Sequence, residues 1–346
     1  MGVAASIDDV ARRAGVSIAT VSRALRGLPD VAAATRARVM AAATELGYVA
    51  SPFAARLATG RTSTIGLVVP FINRWFFSEV INAVEASLRA ASFDLLLYSL
   101  RDDEGRARFF ELMPLRKRVD GVLLVSFLPS YKELESLSTM GCPSGLLGIR
   151  RPGLLSTRID DVAGAHGAVA HLIGLGHRRI ALIGDDPKDP MGFTPPGDRR
   201  RGYQRALTAA GLPLDPALEV HGYYTVSGGS DSMQQLLALP DRPTAVFAAS
   251  DEMAIGAVKA IRAAGLRIPE DIAVMGFDDH PMAQMYDLST VRQPVADEAV
   301  DLTKRLLAKL EAGGDLAVSE AEADVVLDTE LIVRGSTDAS RSAPSS

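Results

Sequence analysis

Ser17, Ile18, Ala19, Thr20, Ser22 and Arg23 crowd small, apolar and hydrogen-bonding side chains into one short stretch. The chemistry such a set performs is recognition: short side chains let a helix approach a base edge, and hydroxyl and guanidinium groups bond bases and phosphates. Val21, Ala24 and Leu25 recur at helical spacing and must face inward, which leaves Ile18, Ala19, Ser22 and Arg23 outward. Ser17 is placed to cap this helix. Before it, Ser6 with Asp9 reads as a cap close to the capping-box spacing, Val10, Ala11 and Ala14 form an apolar stripe, and Gly15 supplies a stop. Two short helices joined by a tight turn are the plan of a helix-turn-helix, whose second helix enters the DNA major groove.

Catalytic constellations are missing. No G-x-G-x-x-G follows the first strand-like run, no P-loop is present, and no Ser sits in a G-x-S-x-G elbow. His166, His171 and His177 are five and six apart, off one helical face and without the His-Glu-x-x-His form of a zinc site. Asp278-Asp279 is a possible acid pair with no nucleophile near it in sequence. Cys142 is alone, which excludes an intramolecular disulfide and a cysteine-based metal cluster, and its apolar surroundings suit a core residue. We expect no enzyme activity, no cofactor and no metal.

The elements that must position the recognition helix follow directly. A third helix is expected from Ala33 to Leu46, stopped by Gly47, with Val39, Ala42, Ala43 and Leu46 closing a three-helix bundle. Ser51 can cap and Pro52 can start a further short helix, too short to stand alone in water. Residues 1–61 hold eight Arg and no Lys against three Asp and one Glu, a charge of +4; the whole chain carries −5, so the remainder carries −9. A basic head on an acidic body places the attraction for phosphate at one end.

From Ser63 apolar strand-like runs alternate with helical stretches. The runs are Ile65–Pro70, Asp94–Tyr98, Gly121–Ser126, Ser144–Leu147, Arg179–Gly184, Thr244–Ala248 and Ile272–Phe277; helices are expected at Phe76–Ala91, Val162–Leu175, Arg199–Ala210, Asp251–Ala264 and Ala296–Glu311. That order predicts an α/β body with parallel sheets. With 346 residues, 47% of them hydrophobic, the chain exceeds one ordinary domain and can bury a large core. Such sheets bind ligands beyond the carboxyl ends of their strands. There stand Phe71, Asn73, Trp75, Phe76 and Phe77, then Asp185, Ser250-Asp251 and Phe277-Asp278-Asp279. No signal peptide and no membrane-length apolar run is seen, so a cytoplasmic protein is expected.

The segments Asp9-Val10-Ala11, Ala14-Gly15-Val16-Ser17, Ala19-Thr20-Val21-Ser22-Arg23-Ala24-Leu25, Leu46-Gly47-Tyr48 and Ala54-Ala55-Arg56-Leu57 resemble the headpiece of the LacI/GalR family of bacterial repressors. The body resembles the family's effector domain, of periplasmic-binding-protein-like fold, at Ile65–Pro70, Asp120-Gly121-Val122, Leu175–Ile180, Arg199–Ala206, Ala249-Ser250-Asp251 and Pro269–Asp279. The resemblance spans about residues 6–335. It implies that Ile18 and Ala19 read bases, that Arg23 reads guanine, and that Ser17, Thr20 and Ser22 contact phosphate or groove. It also implies that Leu57 wedges into the minor groove with Ala54 beside it. Three departures stand out: Arg26, which we place with the DNA-contacting residues, occurs where the family usually has Asn; Ala50-Ser51-Pro52 replaces Pro-Asn; and Asp30 replaces a neutral or basic residue. Asp30 reads either as an acceptor for a cytosine amino group or as a solvated turn residue.

In the body the resemblance assigns effector contacts to Arg199 (with Arg200 and Arg201 as neighbouring alternatives), Asp278, Ser250, Phe76, Phe77 and Tyr224. Arg150 stands where the family places Asp or Trp against the ligand, and reads either as the local substitute in the effector set or as a sign that this contact is absent. Asn73 joins this set from its place after the first strand. The implied organisation is a headpiece at 1–48, a hinge helix and linker at 49–62, and a body at 63–335. Its N-subdomain covers about 63–161 and 292–323, its C-subdomain about 162–291 and 324–335, and a disordered tail follows at 336–346. The expected protein is a homodimeric repressor of sugar-utilisation genes on near-palindromic operator DNA, tuned by a small sugar or glycoside. The tail lacks the leucine heptads of a tetramer. A purine or polyol effector, a sugar-binding transport receptor and an enzyme built on the α/β body are the competing readings.

Overall fold

The computed structural model describes residues 5–25, 29–48, 61–186, 192–313 and 318–338. The chain divides into two units, Met1–Thr62 and Ser63–Ser346.

In the first unit, α1 (Ile7–Ala14), α2 (Ile18–Leu25) and α3 (Ala33–Glu45) enclose Val10, Ala14, Val21, Ala24, Val39 and Ala42. Ser6 and Asp9 form the reciprocal cap of α1, and Gly15 ends it at φ 68°, a left-handed conformation that a side chain would strain. The Ser17 hydroxyl accepts from the Thr20 amide at 3.2 Å, so α2 starts where the sequence sets it. Arg13 reaches Glu45 at 2.8 Å and ties α1 to α3. Arg26, Ala54 and Leu57, with the expected hinge helix, lie outside the described residues.

In the body, one sheet takes the order β2-β1-β3-β4-β5-β11, with β1 (Thr64–Val69), β2 (Asp94–Ser99), β3 (Gly121–Val125), β4 (Ser144–Leu147), β5 (Leu155–Ile159) and β11 (Asp324–Leu327) all parallel. The helices α4 (Trp75–Ala90), α5 (Asp103–Leu112), α6 (Tyr131–Ser138) and α12 (Val295–Ala312) belong to this half. Its two cores lie on opposite faces of the sheet: Ile65, Leu67, Val69 and Leu123 pack with α4 and α12, and Val68, Val122 and Leu124 with α5 and α6. The other sheet, β7-β6-β8-β9, comprises β6 (Ile180–Gly184), β7 (Glu219–His221), β8 (Ala245–Ala248) and β9 (Ala273–Met275), again parallel. With it go α7 (Asp161–Gly174), α8 (Pro195–Ala209), α9 (Val226–Leu237), α10 (Asp251–Ala263) and α11 (Pro281–Met285).

The chain passes between the halves after Ile159 and again through the antiparallel pair of β10 (Thr290–Arg292) and β12 (Glu330–Ile332). One expected boundary moves. Residues 324–327 belong to the first half, because β11 pairs with β5 and the Asp324 carboxylate accepts from Arg158 at 2.9 Å and from Ser156 at 3.0 Å. The third crossing therefore follows Leu327. The expected tail also begins too early at 336. Ser336 and Thr337 are buried; the Ser336 hydroxyl donates to the Val274 carbonyl at 2.7 Å, and Thr337 meets the Ser289 hydroxyl at 2.6 Å. These polar residues are held by strand edges that only the fold brings to them.

Candidate functional site

Two places collect the predicted residues. On α2, Ser17, Ile18, Ala19 and Arg23 are exposed, and Thr20 and Ser22 are half-buried at the edges of the same face. Ile18 is 46% exposed, an apolar side chain at the start of a helix that its own core does not use. The Arg23 guanidinium donates to Asp30 at 3.4 Å. Asp30 is thus the partner of the residue expected to read guanine, which neither sequence reading anticipated.

The second place is a cavity between the two halves of the body. From the first half it is lined by Arg74, Phe76, Phe77, Ser126, Gly148 and Glu298; from the second by Asp161, Phe193, Pro195, Arg199, Tyr224, Ser250, Glu252 and Asp278; Ile159 and Gln293 sit at the crossings. Each half presents the carboxyl ends of its parallel strands or the starts of its helices, where loops can gather polar groups. Ser126, Tyr224 and Asp278 hold φ of 58°, 52° and 125°. Positive φ at non-glycine residues is a local strain that packing must hold, and such strain gathers at binding sites.

Arg199 organises the polar floor. Buried on α8, it donates through Nε to Asp161 at 2.8 Å and through Nη1 to the Ala249 carbonyl at 2.6 Å and Asp278 at 3.3 Å, over the Phe277 ring at 3.7 Å. Gln293 donates to the same Asp278 oxygen at 2.6 Å. Burial opposes the Arg199 charge, but Asp161 and then Asp278 more than restore it and hold the guanidinium above its ordinary value. Burial pushes the Asp278 carboxyl up to about 7 against the pull of Arg199. It raises Glu298 well above the carboxylate range, with Asp161 adding to the effect, and raises the Tyr224 phenol. Asp251 is held by the Thr290 hydroxyl at 2.7 Å and the His280 amide at 2.8 Å, so its role is to brace the loop that carries Asp278.

Contacts across the cleft keep it narrow. Trp75 stacks with His280 at 5.2 Å, Phe77 meets Phe193 at 6.2 Å, and the Leu128 amide donates to the Gly192 carbonyl at 3.1 Å. The inner cavity is only about 40 Å³, room for roughly one to three waters. A second cavity of about 510 Å³ adjoins it, sharing Gly148, Ile159, Asp161 and Phe193 as walls. A ring-sized ligand requires the halves or the aromatic side chains to give way.

Of the effector set, Phe76, Phe77, Arg199, Tyr224, Ser250 and Asp278 line the inner cavity; Ser250 also caps α10, accepting from the Met253 amide at 3.3 Å. Two expectations are corrected. Asn73 is exposed and does not line the cavity, its neighbour Arg74 doing so instead. Arg150 is 54% exposed and lines the outer cavity, drawn toward Asp324 at 3.8 Å. Of the neighbouring alternatives to Arg199, Arg200 pairs with Glu219 and Arg201 with Asp198. The sequence reading missed Asp161, Phe193 and Glu298. A signal for Glu298 existed: Val295, Ala299, Leu302 and Leu306 make the buried stripe of α12, and Glu298 falls on it. Among the described residues no cluster of three or more His, Cys, Asp and Glu could hold a metal, and no helix is long and apolar enough to cross a membrane.

Comparison with known proteins places both halves of this picture. Residues 6–51 match the model of bacterial regulatory proteins of the lacI family, and residues 169–337 that of the periplasmic binding protein-like domain. The chain is 36% identical over 339 residues to the HTH-type transcriptional repressor CytR of Escherichia coli K12, covering 96% of each. It is 37% identical over 298 residues to the ribose operon repressor of the same organism, covering 84% of this chain and 88% of that one. Among solved structures, the lac repressor dimer bound to operator and an anti-inducer superposes with a TM-score of 0.84 at 26% identity, covering 96% and 99%. These three relatives are all named as repressors.

Proposed function

The chain belongs to the lacI family of bacterial regulatory proteins and is a DNA-binding transcriptional repressor of that family, and from that premise we propose how it works. Two copies bind a near-palindromic operator, and a small sugar or glycoside in the cleft of the body sets how tightly. Ile18 and Ala19 read bases, Arg23 reads a guanine through O6 and N7, and Ser17, Thr20, Ser22 and Arg26 fix the register on phosphates. Leu57, with Ala54 beside it, wedges into the minor groove at the operator centre. In the cleft Arg199 and Asp278 bond the ligand while Phe76, Phe77 and Tyr224 cover its apolar faces.

The observation that carries the reading is the Arg199–Asp278 cluster of the second half, buried on the wall of a cavity that the first half closes with Phe76, Phe77 and Glu298. A ligand there bears on both halves at once and so on their closure. It shifts an equilibrium only by binding one closure better than the other, and couplings of this kind run about 1–3 kcal/mol. The relatives' names fit a catabolic setting, since one is the repressor of a ribose operon and a solved neighbour is a regulator in complex with cellobiose.

Fluorescence anisotropy with duplexes from the gene's own upstream region, at low ionic strength and with a panel of sugars, tests this. Two chains per duplex, an affinity changed roughly 5- to 150-fold by one sugar, and at least tenfold weaker binding by Leu57→Ala with the sugar response of the body intact are expected. Failure to bind any such duplex, or a Leu57→Ala protein with wild-type affinity, would overturn it.

A further inference from the structure

We propose that the ligand of the inner cavity carries a positively charged amino group, which Glu298 receives. This rests on the reading of the cleft as the effector site and narrows that site to small amino-bearing molecules such as amino sugars.

Glu298 is 1% exposed, and its Oε1 has no hydrogen-bond partner. It lines the cavity together with Tyr224, whose hydroxyl is also buried and unpartnered. Groups of this kind are stable only when something else satisfies them. The charge balance says what. The charged and titratable groups lining the cavity are Arg74, Asp161, Arg199, Tyr224, Glu252 and Asp278, besides Glu298 itself. Arg199 is already committed to Asp161 and Asp278. Arg74 lies over the Phe71 ring at 4.0 Å and acts on Glu252. Four carboxyl groups thus face two guanidinium groups; Arg199 bonds two of them, and it attracts Glu298 without an ion pair, as Arg74 attracts Glu252.

A neutral hydroxyl can donate to Glu298, but it leaves the buried charge uncompensated, and an unpaired buried carboxylate stays protonated instead. An ammonium ion meets both needs. The remaining walls suit it as well: Phe76, Phe77, Phe193 and Tyr224 offer ring faces and edges, with Phe193 and Tyr224 centred 5.6 Å apart, and aromatic faces attract cations. Burial holds Glu298 above the carboxylate range. Pairing with an ammonium then favours the ionised form: where the O–H bond of Glu298 breaks, the proton goes to solvent, the electron pair stays on the carboxylate, and the ligand keeps its own charge.

Titration calorimetry of the full chain at neutral pH, in phosphate and in Tris, tests this with glucosamine, galactosamine and mannosamine, each against its parent sugar and its N-acetyl form. Thermal unfolding of each variant checks that it folds. At least one amine is expected to bind about tenfold or more tighter than its parent, and to release protons on binding, read from the difference between buffers. Glu298→Gln should bring that amine down to its parent's affinity and abolish the proton release, while Glu298→Asp should restore part of both. Parent sugars binding as well as the amines, or Glu298→Gln keeping the preference for an amine, would overturn the assignment while leaving regulation by a cleft ligand in place. Binding by none of the probes would overturn it too, and would also remove the support for a sugar effector.

Discussion

At the residue scale, the informative pair is Arg23 and Asp30. Both side chains are about half exposed, at 44% and 53%, and their contact is 3.4 Å, so their attraction contributes little to stability, typically below ~1 kcal/mol. Its effect falls on recognition. In the proposed complex, a guanidinium that reads a guanine must leave Asp30 or share it, and the Asp30 carboxylate would add a negative charge beside the phosphates. Asp30→Asn should therefore tighten operator binding by about three- to fivefold, equivalent to roughly 0.7–1 kcal/mol, with no change in the melting temperature. A competition titration on one operator settles the sign; weaker binding would mean that Asp30 orients Arg23 toward the base rather than restraining it.

Among the elements, α9 and α10 approach each other closely. A Cβ on Gly256 would stand 2.1 Å from the Val226 carbonyl oxygen and 2.6 Å from the Ser230 nitrogen, and backbone atoms cannot turn aside as a side chain can. Gly256→Ala should force the helices apart and cost about 3 kcal/mol, seen as a drop of several degrees in Tm for a body of this size. Gly167 on α7 is the control, since its Cβ would meet nothing within 4 Å; Ala there should be neutral or stabilise by about 0.5–1 kcal/mol. The same helix shows where the sequence falls silent. Val226–Leu237 carries Ser227, Gly228 and Gly229 in its first turn and lacks a strong helical signal, yet it forms because Gly229 admits α10 and Gly228 admits the Gly222 backbone. In β5 the polar run Ser156-Thr157-Arg158 hides a buried strand, its side chains satisfied by Asp301, Asp324 and the Ala323 carbonyl more than 140 positions away. By contrast α1 to α3 and the apolar strands β1, β3, β4, β6 and β8 were legible, because caps, stripes and apolar runs are local. The cavity was half legible: Arg199, Asp278, Ser250 and the aromatic residues stand at strand ends or helix starts, while Glu298 shows only as an acid on the apolar stripe of α12, with nothing local to say what it faces.

For the whole molecule, the consequence lies in how the body responds to pH. Burial lifts Asp278 to about 7 in the folded chain, against about 3.9 for an unfolded aspartate. A carboxyl with a raised folded value binds more protons folded than unfolded between those limits, so its contribution to stability falls as pH rises from about 4 to about 7 and is constant above. The full span amounts to on the order of 4 kcal/mol for this group. The carboxylates held by arginines work the other way at lower pH: Glu133 and Asp279 are depressed against the opposing effect of burial, and Asp271 falls to about 2 through Arg267. Comparing the chain with Asp278→Asn cancels them. The amide keeps an acceptor for Arg199 and Gln293 but does not titrate, so the variant should gain stability relative to the parent between pH 4.5 and 7 and hold that margin above. Urea midpoints at four or five pH values give the answer, and parallel curves would show that Arg199 keeps Asp278 ionised throughout. The slope bears on regulation because the added charge is confined to the cavity between the halves. Opening that cavity lets water solvate Asp278, so deprotonation and opening favour each other, and a ligand that neutralises the site must favour closure on the same coordinate.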